Sequence, residues 1–364
     1  MIRIQNLRMS YRSGGESVPA IQDVSLDIEP GQFYTLLGPS GCGKTTTLRC
    51  VAGLEEPDTG EIAVGDKVVY SSTQGTWVPP YRRNIGMVFQ SYAIWPHMSV
   101  FENVAFPLKN DRSRISPDQV RKRVLDALAL VKLDAYVDRP APHLSGGQQQ
   151  RLALARALVG EPRVLLLDEP LSNLDAKLRE EMRVELRELA KRLNVTTLFV
   201  THEQLEALTM SDVVAVMKDG KIIQSGTPAE IYSQPRSAFV AKFIGRSNII
   251  PGRVMESSRS AGEVLVHTDF GRVRCRDGGG GDAVVLAVRP EDVEIVHTGE
   301  PGADNIFEAR VERSLFFGEC VESFVRVGDV SLQLRLHPEE APNGGDVIRI
   351  HLPQKRCLAL SADS

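Results

Sequence analysis

The 364 residues carry 42% hydrophobic and 25% charged side chains with a formal net charge of −4. That is the balance of a globular chain too long for one core, so two or three domains are expected. The mildly acidic balance supplies no general attraction to nucleic acid or anionic lipid, and no apolar run reaches the roughly 18 residues of a membrane span. The chain is therefore expected to cross no bilayer by itself. Residues 1–7 alternate like a strand and lack the apolar core of a signal peptide. Cys42, Cys50, Cys275, Cys320 and Cys357 are scattered with no C-x-x-C pair. They read as reduced thiols of a cytosolic chain, neither a disulfide framework nor a zinc site.

The apolar run 33–37 reads as a buried strand. It ends in Gly38-Pro39-Ser40-Gly41-Cys42-Gly43-Lys44-Thr45-Thr46, and a helix-forming run follows to residue 54. G-x-x-x-x-G-K-[ST] between strand and helix is what a nucleotide phosphate cradle requires. Glycines let backbone N–H groups turn toward phosphate oxygens, and the helix start adds unpaired donors and partial positive charge. Lys44 is placed to reach the β- and γ-phosphates and the Thr45 hydroxyl to ligate magnesium, so the chain is expected to bind a nucleoside triphosphate. Cys42, inside the loop, reads as a tolerated small residue and an alkylation target.

Between residues 99 and 160 strand signals fade. Ser116-Pro117-Asp118 reads as a cap before a helix over 119–131, so this insert is expected to be mainly helical. Leu144-Ser145-Gly146-Gly147-Gln148 then opens a helical run; alone, it is another anion-binding helix start. The apolar run 164–167 delivers Asp168 and Glu169. Two adjacent carboxylates at a strand end are costly unless they serve a cation and a reaction. Asp168 suits magnesium, and Glu169 suits a general base polarising the attacking water. Strands over 197–200 and 213–216 follow, and Asp219-Gly220 turns the last into a hairpin with 221–224. Each buried strand ends at chemically loaded residues, which puts them at the carboxyl edge of a largely parallel sheet.

Beyond about residue 246 the pattern changes to short strands and glycine turns, among them Gly278-Gly279-Gly280-Gly281. A weak repeat runs through this tail. Asn248-Ile249-Ile250-Pro251-Gly252-Arg253-Val254 resembles Asn305-Ile306-Phe307-Glu308-Ala309-Arg310-Val311, and Gly281-Asp282 before VVLAVRP resembles Gly345-Asp346 before IRIHLP. Two copies of a small β-unit, packed as an oligonucleotide-fold-like barrel or pair, would account for it.

The phosphate loop, LSGGQ and the acidic strand together resemble the nucleotide-binding subunit of ATP-binding cassette (ABC) transporters, over residues 2 to about 240. LSGGQ is that family's signature. The resemblance implies an α/β P-loop NTPase with a RecA-like core, an antiparallel β subdomain and a helical subdomain over about 99–160. It makes residues 1–240 the cassette and 241–364 an all-β, OB-like accessory domain. The tail, with Leu286-Ala287-Val288-Arg289-Pro290-Glu291-Asp292-Val293, is similar to the TOBE-type domain of bacterial import ATPases.

The same resemblance implies roles. Tyr11 stacks on adenine, and the loop Gly38 to Thr46 (Gly38, Pro39, Ser40, Gly41, Cys42, Gly43, Lys44, Thr45 and Thr46) holds the phosphates. Thr45, Gln90 and Asp168 serve magnesium, and Gln90 senses the membrane partner. Glu169 is the base, assisted by Lys44, Gln90 and the switch residue His202, which contacts the γ-phosphate. Ser145, Gly146, Gly147 and Gln148 cover the ATP of a second copy packed head to tail. Asn173-Leu174-Asp175 matches the D-loop, where the family more often has Ser-Ala-Leu-Asp. The apolar segment Gln90-Ser91-Tyr92-Ala93-Ile94-Trp95-Pro96-His97-Met98, with the helical insert, receives the coupling helix of a transmembrane permease. Partners are thus a second copy, permease subunits and, indirectly, a solute-binding protein, with no nucleic acid, at the cytoplasmic face of the inner membrane. The wording MVFQSYAIWPHMSVFENVAF is closer to the polyamine and ferric-iron branch than to the sugar branch, which is the alternative. A soluble ABC ATPase acting on nucleic acid or ribosomes usually carries a coiled coil, a zinc insert or a second cassette, and none is visible. An exporter seldom carries the β-rich tail.

Overall fold

The structure is a computed structural model that describes residues 1–109, 115–255, 262–296 and 304–362; residues 110–114 of the expected helical insert, and short stretches of the tail, lie outside the described residues. The chain divides into two units, Met1–Pro228 and Ala229–Ser364.

The first unit holds β1 (Ile2–Ser13), β2 (Glu16–Ile28), β3 (Phe33–Leu37), α1 (Lys44–Ala52), β4 (Thr59–Val64), β5 (Lys67–Ser71), β6 (Thr76–Trp77) and β7 (Ile85–Val88). It continues with α2 (Val100–Lys109), α3 (Pro117–Leu130), α4 (Gly146–Leu158), β8 (Val164–Asp168), α5 (Ala176–Leu193), β9 (Thr196–Thr201), α6 (Gln204–Met210), β10 (Val213–Lys218) and β11 (Lys221–Gly226). One sheet is antiparallel in the order β2-β1-β4-β5-β6. The other runs β11-β10-β3-β9-β8-β7, parallel except at the β10–β11 hairpin.

Strands β3, β8 and β9 are buried along their whole length. A strand covered on both faces needs no polar alternation, which is why these read as unbroken apolar runs. The period of two still sorts the side chains. Phe33, Leu165, Leu167 and Phe199 join the core of α2–α5, while Tyr34, Leu36, Leu166, Leu198 and Val200 join the core under α1 and the antiparallel sheet. Strand β8 runs one residue past the expected 164–167, because Asp168 still pairs with Val200. In the insert, Ser116 caps α3 in a capping box with Gln119, and Pro117 stands at the first turn.

Helix α7 (Pro228–Ser233) starts at the last residue of the first unit and lies otherwise in the second, followed by α8 (Ala238–Phe243). The strands of the second unit are β12 (Asn248–Val254), β13 (Glu263–Thr268), β14 (Gly271–Asp277), β15 (Ala283–Val288), β16 (Glu294–Ile295), β17 (Ile306–Phe316), β18 (Val321–Val327), β19 (Val330–Leu336), β20 (Val347–His351) and β21 (Leu358–Ser361). A closed barrel β12-β13-β14-β21-β15 adjoins an open sheet β16-β20-β17-β18-β19. One apolar core runs through both. The buried Arg289 guanidinium donates to the carbonyls of Tyr232, Ala241, Ile244 and Arg246. Those bonds hold α7 and α8 on this unit, and the division falls ahead of the 240/241 boundary that the resemblance implies.

The sequence repeat is a structural repeat. Ile249 to Arg253 pair with Ala287 to Ala283, and the matching Ile306 to Arg310 pair with His351 to Val347 in the same register. Each pair is closed by the same bond, Val254 N to Asp282 O at 2.9 Å and Val311 N to Asp346 O at 2.8 Å. The copies close differently. The barrel copy gains β21, parallel to β14, as its fifth strand; the other copy stays an open sheet.

Candidate functional site

The parallel register brings four strand ends to one edge. Leu37 pairs with Thr201, Asp168 with Val200, and Val88 with Leu167. The phosphate loop after β3, Glu169 after β8, His202 after β9 and Gln90 after β7 therefore leave the sheet side by side, where open α/β sheets bind ligands.

Gly43, the N-cap of α1, has φ of +99°, and a Cβ there would lie 2.3 Å from the Ala20 carbonyl oxygen. No other residue fits that turn. Lys44, 5% exposed, folds over the loop and donates to the carbonyls of Gly38 at 2.7 Å and Pro39 at 2.9 Å. Pro39, Ser40 and Gly41 form the exposed crest of the loop. Cys42 is 3% exposed, and burial pushes its thiol up. That corrects the expectation of an alkylation target: a buried, protonated thiol is neither accessible nor nucleophilic. Tyr11, on β1, reaches Thr46 with its hydroxyl, 3.4 Å from Oγ1.

Thr45 Oγ1 donates to Asp168 Oδ1 at 2.9 Å. Asp168 is 5% exposed, and burial raises its pKa against the opposing bond from Thr45. The next residue, Glu169, has φ of +44°, a left-handed conformation that non-glycine residues seldom adopt. Its N–H is held by Val200 O at 3.0 Å and its carbonyl by Ser172 Oγ at 2.9 Å. Strain of this kind persists where the surroundings over-determine it, and here it turns the carboxylate out of the strand direction. Glu169 Oε1 lies 3.1 Å from His202 Nδ1, and Oε2 accepts from Gln90 Nε2 at 3.4 Å. The structure thus joins Thr45 to Asp168, and Glu169 to both His202 and Gln90.

The segment after Gln90 is fixed by side chains from three places. Asn173 Nδ2 donates to Gln90 O at 2.8 Å. Arg156 of α4 donates to Tyr92 O and Ala93 O, both at 2.6 Å, holding two residues with φ of +61° and +46°. Asn103 of α2 bonds both the N–H and the carbonyl of Trp95. Trp95 stacks on Phe106 with centroids 4.2 Å apart, and the Arg156 guanidinium lies 4.7 Å from the Trp95 ring. These side chains, with Tyr81, Met87 and Pro107, line a groove of about 860 Å³.

Ser145 is the N-cap of α4. Its Oγ accepts from Gln148 N at 3.4 Å, and Gln148 Oε1 accepts from Ser145 N at 2.9 Å, a complete capping box. Ser145 and Gly146 are exposed, while Gly147 packs where a Cβ would lie 2.8 Å from the Leu178 side chain; at Gly146 the nearest atom is 4.0 Å away. Among the described residues, no hydrogen bond or ion pair links this turn to the phosphate loop, Glu169 or His202.

A family model described as ABC transporter matches residues 21–172, and a TOBE domain model matches residues 286–360. The chain is 46% identical over 331 residues to the spermidine/putrescine import ATP-binding protein PotA of Clostridium novyi (strain NT), covering 90% of this chain and 89% of that one. It is 43% identical over 371 residues to the protein so named in Rubrobacter xylanophilus (99% and 93% covered). In Pseudomonas fluorescens the figure is 41% over 366 residues (99% and 98%). The chain belongs to the ABC transporter ATP-binding proteins. It is an import-type ABC ATPase with a C-terminal TOBE domain. The dimeric structure of MJ0796, a bacterial ABC transporter cassette, aligns with a TM-score of 0.55 at 32% identity, over 63% of this chain and 99% of that one. The cbiO1 subunit from Clostridium perfringens, part of the ABC transporter complex cbiONQ, aligns with 0.56 at 31%, over 63% and 89%.

Several residues of this ABC ATPase were not singled out by motif. Arg156 lies inside a helix and acts through carbonyls, so no spacing announces it. Glu206, buried in α6, accepts from Thr201 Oγ1 at 2.6 Å, while Thr201 Oγ1 accepts from Glu203 N at 3.0 Å, shaping the turn that presents His202. Asn173 did carry a signal, its departure from Ser-Ala-Leu-Asp, with no partner assigned to it.

Proposed function

We propose that this ABC ATPase hydrolyses ATP to drive uptake of a polyamine through separate permease subunits. It works as a pair of copies bound peripherally at the cytoplasmic face of the inner membrane. The observation that carries the reading is the Glu169 carboxylate, held between His202 and Gln90 beside the Thr45–Asp168 pair. Near full-length identity to three spermidine/putrescine import ATP-binding proteins supports the polyamine.

The triphosphate lies along the loop Gly38 to Thr46, with Tyr11 against the adenine. Lys44 exchanges the carbonyls of Gly38 and Pro39 for phosphate oxygens. The Thr45 hydroxyl, the Asp168 carboxylate and the Gln90 amide oxygen are hard oxygen donors of the kind magnesium takes. Bound there, magnesium would neutralise phosphate charge. Glu169 accepts the proton of the water that attacks the γ-phosphorus, and His202 keeps the carboxylate aimed. Ser145, Gly146 and Gly147 of one copy donate to the γ-phosphate held by the other, replacing water around the charge. Loss of that phosphate removes the contacts and the pair opens, which supplies work to the permease. The groove around Trp95 and Phe106 receives the permease's coupling helix, since an apolar, aromatic concavity suits a helix face.

Reconstitution with the cognate permease and solute-binding protein tests this. Binding protein loaded with spermidine or putrescine is expected to stimulate hydrolysis, and Lys44→Ala to abolish it. Stimulation by a maltose- or ferric-loaded binding protein, with none from polyamine, would overturn the solute assignment.

A further inference from the structure

The Glu169 turn carries a second side chain aimed at Gln90. Asn173 is exposed, its main chain pinned on both sides. Upstream, Ser172 bonds the Glu169 carbonyl through both N–H and Oγ; downstream, Arg179 Nη2 donates to Leu174 O at 2.9 Å and Asp175 caps α5. From this fixed point the Asn173 amide donates to Gln90 O, while the Gln90 amide donates to Glu169. Residues 169–173 and Gln90 thus form a ring closed by two hydrogen bonds. The other anchors of the segment are a turn bond from Tyr92 N to Phe89 O at 2.9 Å, which spans Gln90, and the side chains of Arg156 and Asn103, which grip it from Tyr92 onward; none of these bonds is made to Gln90 O.

We propose that Asn173 is a positioning residue: its amide fixes the Gln90 main chain on the same rigid turn that carries Glu169, so that the Gln90 side chain meets the carboxylate in one geometry. A glutamine side chain has three rotatable bonds, and without a fixed origin its amide sweeps a wide volume. A donor is required at position 173 because the atom it meets is a carbonyl oxygen, which accepts only. The proposal rests on the assignment of Gln90 and Glu169 to the hydrolytic site.

The test compares Asn173→Ala, Asn173→Asp, Asn173→His and Gln90→Ala in the full-length chain, with steady-state ATP kinetics, magnesium titration and thermal melting. Alanine and aspartate remove the donor; histidine keeps an N–H at similar reach. The expected result is a kcat lowered roughly tenfold in the alanine and aspartate variants, a higher magnesium requirement and an ATP KM within about twofold of wild type. Melting is expected to be unchanged, with substantial recovery in the histidine variant. Wild-type kcat in the alanine and aspartate variants, a loss confined to KM, or a histidine variant no better than alanine would overturn the proposal. Gln90→Ala separates the two levels. If it is impaired while the Asn173 variants are normal, only the tether falls; if it turns over normally, the role of Gln90 in the site falls as well.

Discussion

Asn248 and Asn305 occupy matching places in the two halves of the TOBE unit, and each is bonded to the backbone of a strand in the opposite half. Asn248 Oδ1 accepts from Gln333 N at 2.7 Å and its Nδ2 donates to Gln333 O at 2.8 Å. Asn305 Oδ1 accepts from Arg274 N at 2.7 Å and its Nδ2 donates to Arg274 O at 2.7 Å. An amide presents one donor and one acceptor side by side, as a neighbouring strand would, so each asparagine substitutes for a missing rung between the halves.

Asn305→Ala is therefore expected to destabilise the C-terminal unit by about 1–3 kcal/mol, because Arg274 and Leu352 are left with unpaired backbone groups. Asn305→Asp should cost at least as much, since a carboxylate cannot donate to the Arg274 and Leu352 carbonyls. Denaturant melts of the full chain, followed by a probe in the tail, check both.

Glu169→Gln should retain ATP binding and lose hydrolysis by about 10²–10⁴-fold, the usual yield of general-base assistance. The amide keeps a contact with His202 but cannot take a proton. Single-turnover kinetics at saturating ATP give the answer, and near wild-type turnover would reassign the base.

Arg83 is buried and caps the last turn of α1. It donates to Cys50 O and Val51 O at 2.8 and 2.9 Å and to Val78 O at 2.7 Å, and burial lowers its pKa to about 10. Arg83→Met keeps the bulk and removes every donor; Cys50 O keeps the Gly53 N–H, so a loss on the order of 3 kcal/mol is expected from the Val51 and Val78 carbonyls. Equilibrium unfolding of the cassette measures it.

Glu206 is 3% exposed; one carboxylate oxygen accepts from Thr201 and the other has no hydrogen-bond partner among the described residues. Burial raises its pKa above the ordinary 4.5. From about pH 4.5 up to that raised pKa the folded chain holds more protons than the unfolded one, so this residue's contribution falls as pH rises through that window. Glu206→Gln removes the ionisation and keeps the acceptor for Thr201. The variant should match wild type below about pH 4.5 and exceed it in Tm once the pH has risen through that window. A melting series across pH decides it.

Strands and phosphate loop were legible because burial on both faces writes itself as an apolar run, and because the glycine–lysine loop obeys a fixed spacing. The TOBE repeat was legible for a related reason: Asn248 and Asn305 head copies that keep one pairing register. What escaped is the work done by main-chain carbonyls. Arg156 on Tyr92 and Ala93, Arg83 on α1 and Asn173 on Gln90 satisfy backbone acceptors whose identity depends on chain path, not on any partner side chain. Nor does a sequence show that Glu169 sits at positive φ, since the residue type argues against it.

The neighbouring glycines 146 and 147 differ in what they answer to. A methyl group at the second would displace the tip of the half-buried Leu178 side chain, so its smallness serves the chain's own helix packing. Among the described residues nothing crowds the first, whose added carbon would find its nearest neighbour, on Leu174, at 4.0 Å. Alanine at 147 will therefore be felt first inside the chain, as a shift of Leu178, whereas intolerance at 146 points to a visitor approaching from outside.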